Sequence, residues 1–216
     1  MGEDMRYPQC LEVAVRFYSQ AADTFHEKTK HWQGIEHMDR FISLLPNSSL
    51  PVVDVACGVG RDVDYFMDQK VLAYGIDATL RMVQFARDSF PGCVFEMRDM
   101  LSYRYGVQSH RGVWASSCLQ EVPKNMLGGF IGKLSTALVP GGVLYSNYRV
   151  GDSESVVESS EYGQPAPRLM ALHSMAEVDG YLSAHGFEVL SSVDYKIEKH
   201  GKVQHKARVF ARLKKE

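Results

Sequence analysis

The sequence predicts an α/β protein: a doubly wound, seven-stranded sheet, six strands parallel and one antiparallel in a terminal hairpin, behind an N-terminal helical cap. Three observations predict it. From residue 52 short β-branched runs alternate with stretches of helical periodicity, a Gly-x-Gly turn closes the first of those runs, and two long strands joined by a short turn follow the last helix. The 216 residues, 45% hydrophobic and 23% charged, suffice for one core without disulfide support. Residues 1–216 are therefore read as a single domain.

Leu11, Val15, Phe17, Tyr18, Ala22 and Phe25 recur at steps of three and four, so a helix is expected over 11–25, with a second around Ile35, Met38, Phe41, Ile42 and Leu45. Pro46-Asn-Ser-Ser breaks the pattern, which makes residues 1–48 the cap. Pro51 introduces the buried-strand run 52–56, and the glycine turn leads into a helix over 61–69. Strand 71–76, helix 79–89 and strand 94–97 continue the alternation; strand 112–115, helix 125–138 and strand 143–148, the last preceded by the turn Pro140-Gly-Gly142, extend it. After a helix over 174–185, strands 187–197 and 203–213 flank Lys199-His-Gly-Lys202, which predicts an antiparallel hairpin.

Segment 151–168 breaks this rhythm with four Ser, four acidic residues and two Pro and no periodicity. It is expected to be a loop insertion, serving either as a lid or substrate wall that orders on binding or as a solvated, mobile excursion.

Composition narrows the function. A formal net charge of −2 gives no general attraction to polyanions, so a nucleic-acid partner is disfavoured. Cys10, Cys57, Cys93 and Cys118 lie far apart, and the eight histidines show no metal-ligand spacing, so no metal is expected and the thiols are read as reduced. The first ten residues have no apolar core and no run approaches the ~18 apolar residues a membrane span needs, so the protein is expected to be cytoplasmic, without a membrane association, as a monomer or homodimer.

The informative stretch is Val52-Val-Asp-Val-Ala-Cys-Gly-Val-Gly-Arg-Asp62. A buried strand, a turn with Gly58 and Gly60 and an immediate helix present backbone groups to a ligand lying across the strand ends. Asp77 follows Gly60 by seventeen residues, one crossover, and so offers an acceptor where a ribose diol would lie. A dinucleotide fingerprint would need glycine at Val63, and Asp54 and Asp62 add negative charge where a pyrophosphate would sit. A cationic amine suits that place better, and S-adenosylmethionine has such an amine, a ribose diol and no phosphate.

These residues give the chain a resemblance to the Rossmann-like class I S-adenosylmethionine-dependent methyltransferases. Asp54-x-Ala56-x-Gly58-x-Gly60 resembles their first motif, Gly75-Ile-Asp77 with Met82 the second, Met97-Arg-Asp99-Met100 the third, and Val139-Pro-Gly-Gly142 the turn before their fifth strand. Phe17-Tyr18 with Thr29, Gly60-Arg-Asp62 and residues 148–154 are similar to small-molecule methyltransferases of the tellurite-resistance and natural-product type.

The resemblance implies that Asp54 and the backbone at Ala56, Gly58 and Gly60, with Arg61 beside them, contact the methionyl part of S-adenosylmethionine. It further implies that Asp77, with Ala78, binds the ribose, that Met82 packs on adenine, that Asp99 and Met100 read the adenine edge, and that Ala115 and Tyr18 approach the cofactor. Ala56 replaces the motif's first glycine, and Glu121 stands where relatives often carry His. The implied reaction is in-line methyl transfer to an O, N or S atom of a small molecule, with S-adenosylhomocysteine as the product. Tyr18, Tyr148 and Arg149 are candidate acceptor contacts, and Tyr18, His31, Glu121 and His173 candidate proton acceptors. An RNA or protein methyltransferase and a non-catalytic S-adenosylmethionine-binding subunit are the rival readings. Strand 112–115 and the residues after it (Trp114-Ala-Ser-Ser117) lack the Asn/Asp-Pro-Pro-aromatic signature of base-amino methyltransferases.

Overall fold

The computed structural model describes residues 7–29, 34–199 and 202–215. Helical periodicity at the start of the chain becomes α1 (Gln9–Thr29) and α2 (Ile35–Leu44), and the first β-branched run becomes β1 (Val52–Val55), buried at every position. The alternation then yields α3 (Arg61–Asp68), β2 (Ala73–Asp77), α4 (Leu80–Ser89), β3 (Val94–Met97), β4 (His110–Ser116), α5 (Leu127–Ala137) and β5 (Leu138–Arg149). Beyond the insertion come α6 (Met175–Ala184) and two long strands, Phe187–Lys199 and Lys202–Leu213.

With the insertion strands numbered β6 (Glu154–Ser159) and β7 (Ala166–Ala171), those last two are β8 and β9, and the sheet runs β3-β2-β1-β4-β5-β9-β8. β1 pairs in parallel with β2 and β4, β2 with β3, and β4 with β5. β9 runs antiparallel to both β5 and β8, so the expected count of six parallel strands and one antiparallel holds. The residues at the tip of that hairpin, His200 and Gly201, lie outside the described residues.

Two differences from the sequence reading have clear causes. Segment 151–168 is not a structureless loop, because β6 and β7 form a two-stranded antiparallel sheet in register from Glu154↔Ala171 to Ser159↔Ala166. The apolar pairs Val156-Val157 and Leu169-Met170 are too short to show against the Ser and Glu around them. The turn at Pro140-Gly-Gly142 does not precede β5 but interrupts it: Gly141 takes φ 82° and the register with β4 shifts between His110 and Gly112.

Strand alternation divides the core into two layers. One face of the sheet packs Val53, Val55, Val113, Ala115, Leu144 and Tyr148 against α5 and α6 residues such as Phe130, Leu134, Val178 and Leu182. The other packs Val52, Trp114, Tyr145 and Phe210 against Met38 and Phe41 of α2 and Val63 and Phe66 of α3. Trp114 and Tyr145 stack with ring centroids 3.8 Å apart, and the Trp114 indole N–H donates to Asp62 at 2.8 Å, which ties the second layer to the start of α3. Among the described residues no helix is long and apolar enough to cross a membrane, and no group of three His, Cys, Asp or Glu side chains could hold a metal ion.

Gly60, the residue before α3, takes φ 83°, and a Cβ built there would lie 2.6 Å from the Phe95 ring and 2.8 Å from Ala86 Cβ. Gly60→Ala combines left-handed strain with overpacking and is expected to destabilise the fold by about 2–4 kcal/mol. Urea unfolding of the purified variant measures this, and a loss under about 1 kcal/mol would mean that α3 and β3 separate freely.

Candidate active site

Parallel strands β1, β2, β4 and β5 end at one edge of the sheet, and there a cavity of about 410 Å³ opens under α1. Its floor is the turn after β1. Ala56, Gly58 and Gly60 take φ of 56°, 54° and 83°, so the backbone turns back on itself three times in five residues before α3 begins. Left-handed backbone costs about 1–2 kcal/mol at a residue with a Cβ, so Ala56 stores strain where the motif it resembles has glycine.

Around that floor stand carboxylates. Asp77 accepts the Gly58 N–H at 2.9 Å and the Thr79 N–H at 2.8 Å, one on each oxygen, and thereby joins the turn to the end of β2. Asp99 likewise accepts the N–H groups of Leu101 and Ser102 at 3.1 and 3.0 Å, which fixes the segment carrying Met100 at the cavity wall. Asp62 is satisfied by Trp114 and by Arg61, whose Nε lies 2.7 Å from it. Asp54 differs: it is 3% exposed, lines the cavity, and accepts no hydrogen bond from any described residue. Burial, and then the neighbouring Asp62 charge, push its carboxyl well above the usual range.

The roof is a buried polar cluster. Arg168, on β7 and 2% exposed, donates from Nε and Nη2 to Glu121 Oε1 at 3.0 and 2.7 Å, from Nη1 to Glu161 at 2.7 Å, and from Nη2 to the Tyr18 hydroxyl at 2.6 Å. Tyr18 in turn donates to Glu121 at 2.9 Å, and Arg149 pairs with Glu161 at 2.7 Å. Burial pulls the Arg168 guanidinium down, but Tyr18, Glu121 and Glu161 outweigh it and hold it charged. Burial pushes the Tyr18 phenol well up, so it stays a neutral donor. One guanidinium thus fastens α1, the 3-10 turn at Glu121 and the insertion hairpin together over the cavity.

Of the residues singled out in the sequence, Tyr18, Asp54, Ala56, Gly58, Arg61, Asp77, Ala78 and Met82 line the cavity, as do Asp99, Met100, Glu121 and Arg149. Five fall elsewhere or beyond view. Gly60 serves packing beneath the turn, and Ala115 is wholly buried on the opposite face, its place at the cavity taken by Ser116 and Ser117. Tyr148 is not an acceptor wall: on β5 it alternates with Asn147 and Arg149, faces the core and is 1% exposed. His173 is no proton acceptor either, since it is buried with Nε2 on the carbonyls of Leu119 and Val122 at 3.0 and 3.2 Å and burial lowers its pKa. His31 lies outside the described residues. Sequence reasoning counted Glu161 only among the acidic residues of the insertion and missed its partner Arg168 at the end of the same segment, as well as Arg208 on β9.

Comparison with known proteins fits this geometry. Residues 52–142 match the family model described as a methyltransferase domain. That stretch, 91 of the 216 residues, is similar to such a domain. Over 95 residues it is 33% identical to the trans-aconitate 2-methyltransferase of Variovorax paradoxus, a match that covers 43% of this chain and 36% of that protein. The chain therefore spans about a third of the length of that curated relative. Among solved structures, a SAM-dependent methyltransferase of Methanosarcina mazei superposes with a TM-score of 0.70 at 16% identity, covering 86% of this chain and 99% of that one. The [4+2]-cyclase SpnF superposes with a TM-score of 0.70 at 16% identity over 93% of this chain and 94% of its own. At such identities the structures establish the fold alone.

Arg168→Met leaves Glu121 buried without its guanidinium and Glu161 with Arg149 alone, a loss expected to cost about 3–5 kcal/mol. The triple replacement of Arg168, Glu121 and Glu161 by apolar residues is expected to recover most of that cost. Thermal melts of both variants check this pair of outcomes.

Proposed function

We propose that the protein is an S-adenosylmethionine-dependent methyltransferase that methylates an O, N or S atom of a small molecule. Asp54 carries the reading: a buried carboxylate at the cavity floor without a protein partner is a site for a cationic group. The neighbouring turn supports it. Gly58 has already committed its N–H to Asp77, and Asp62 occupies the first turn of α3, so the place where a dinucleotide would rest its pyrophosphate is acidic and short of donors.

The residues present fit the cofactor. Asp54 with the backbone at Ala56 and Gly58 would hold its amine, the outer lone pairs of Asp77 its ribose hydroxyls, and Met82, Met100 and Asp99 its adenine. Bound there, S-adenosylmethionine supplies a methyl group already activated on a sulfonium. The chain's task is then to align an acceptor and keep water away, which α1 and the hairpin do by closing over the cavity. Tyr18 positions rather than deprotonates, because its hydroxyl donates to Glu121 and accepts from Arg168. Glu121 uses Oε1 for those two neighbours and leaves Oε2 without a hydrogen-bond partner, so that oxygen is the one available to an acceptor proton. A cavity of about 410 Å³ under a helix and a hairpin suits a small acceptor better than a polymer.

The sign of the pH dependence follows from Asp54. Its carboxyl is raised by burial and Asp62, which the Arg61 charge offsets only in part, and falls back toward the normal range when an ammonium binds, so binding releases a proton in the interval between the two values. Affinity for S-adenosylhomocysteine is expected to fall with acidification at a pH above that of an ordinary carboxylate. Calorimetry in buffers of different ionisation enthalpy reads the released proton, and Asp54→Asn is expected to abolish the release and weaken binding by about 1.5–3 kcal/mol. Binding of NAD more tightly than S-adenosylmethionine would overturn the assignment.

Asp77→Ala is expected to weaken S-adenosylhomocysteine binding by about 1.5–3 kcal/mol and also to lower stability, because the Gly58 and Thr79 N–H groups lose their acceptor. Calorimetry and urea unfolding on the same preparation separate the two losses.

A further inference from the structure

The two ends of the cavity differ in charge. Toward β1, β2 and β3 it is lined by Asp54, Asp62, Asp77 and Asp99 with Arg61 and Arg98, whereas toward β5 and β9 it is lined by Arg149, Arg168, Lys206 and Arg208 with Glu121 and Glu161. Those two carboxylates are already bound to Arg168 and Arg149. Arg208 stands apart from them. It pairs across the sheet with Asn147, so both project from the face of β5 and β9 that bounds the cavity. Its Nη1 reaches His37 Nδ1 at 3.3 Å, and its guanidinium lies 4.8 Å from the centre of the Tyr195 ring. Its Nε is closed from solvent and has no hydrogen-bond acceptor. A ring face and an imidazole orient the guanidinium without neutralising it, and a partly desolvated cation lacking a counter-charge is costly unless a ligand brings one. His37, an imidazole, brings no counter-charge, and burial and then the Arg208 charge lower its pKa.

We infer that Arg208 anchors a carboxylate on the methyl acceptor, so that the substrate class of this site is a small organic acid. The inference rests on the methyltransferase reading above and adds the sign of the acceptor, which the sequence leaves undecided between Arg149 and the acidic insertion. Glu161 of that insertion is paired with Arg149 and Arg168, whereas Arg208 has, among the described residues, no carboxylate partner and meets His37 and Tyr195. A planar guanidinium held over the Tyr195 ring is preorganised for two parallel N–H donations to a carboxylate.

The small-molecule fraction of a cell extract, split on anion- and cation-exchange resins and incubated with methyl-labelled S-adenosylmethionine, tests this. The full-length protein is expected to label the fraction retained by the anion exchanger. Labelling confined to the cation-exchanger or unretained fraction, or no labelling of small molecules at all, overturns the inference. With the retained fraction at limiting dilution, Arg208→Gln is expected to slow labelling at least tenfold and to recover as the fraction is concentrated, while its dissociation constant for S-adenosylhomocysteine stays within twofold of the parent. Arg208→Lys, which keeps the charge, is expected to lose less. Equal rates for parent and Arg208→Gln at limiting acceptor overturn the anchor role. Failure of the parent protein to bind S-adenosylhomocysteine is a separate result, which would overturn the methyltransferase reading and the inference with it.

Discussion

The constraint on which the site depends is the backbone turn between β1 and α3. Three left-handed residues let the chain reverse within one strand spacing, and contacts on every side hold the reversal in place: Gly60 lies against Phe95 and Ala86, Gly75 of the neighbouring strand against Cys57, and Gly58 against Phe25. Because the turn is so compressed, Asp54 from inside a strand, Asp62 from the first turn of a helix and Asp77 from the next strand converge on one small volume. Like charges so close together raise each other's energy, and the protein offsets this unevenly. Asp62 receives Arg61 and Trp114, Asp77 receives two backbone N–H groups, and Asp54 receives no hydrogen bond from the described residues. That inequality leaves one of the three carboxylates facing the cavity with its hydrogen-bonding capacity unused.

The opposite side of the cavity is governed by a different balance. Arg168 is nearly removed from water, and its neutralisation by Glu121 and Glu161 makes the roof an electrically closed unit. Buried ion pairs of this kind add little net stability compared with apolar packing, but they are selective about geometry. Here the selected geometry is the seating of α1 and the hairpin, elements of quite different sequence position, over the same cavity.

Much of the fold was legible in the sequence because its signals are local. Alternating β-branched runs and helical periodicity located the sheet strands, and the hairpin coupling of the last two strands gave the one reversed direction. The floor of the site was legible for the same reason: Asp54, Gly58 and Asp77 are fixed by one crossover unit of known length. The roof was not. Arg168 meets Tyr18 across 150 residues of chain, and no periodicity encodes such a pair. Tyr148 was misplaced because residue type suggests a ligand contact while strand parity alone decides which face it joins, and parity assigns the cavity to Asn147 and Arg149. The β6–β7 hairpin escaped notice because its strands are mostly polar, as expected of a ribbon exposed along much of its length.

The reversed direction of β9 has a bearing on how the protein is made. Running antiparallel between β5 and β8, it returns Lys206 and Arg208 to the edge where the parallel strands end, so the two ends of the cavity mature at different times during synthesis. The residues of the acidic floor are all translated by Asp99, and their contacts span short stretches of chain. The basic end requires β9 to insert beside β5 some 60 residues behind it, a non-local pairing of the slow kind. A nascent chain on the ribosome therefore reaches a stage at which the acidic floor can be ordered while the basic end does not yet exist.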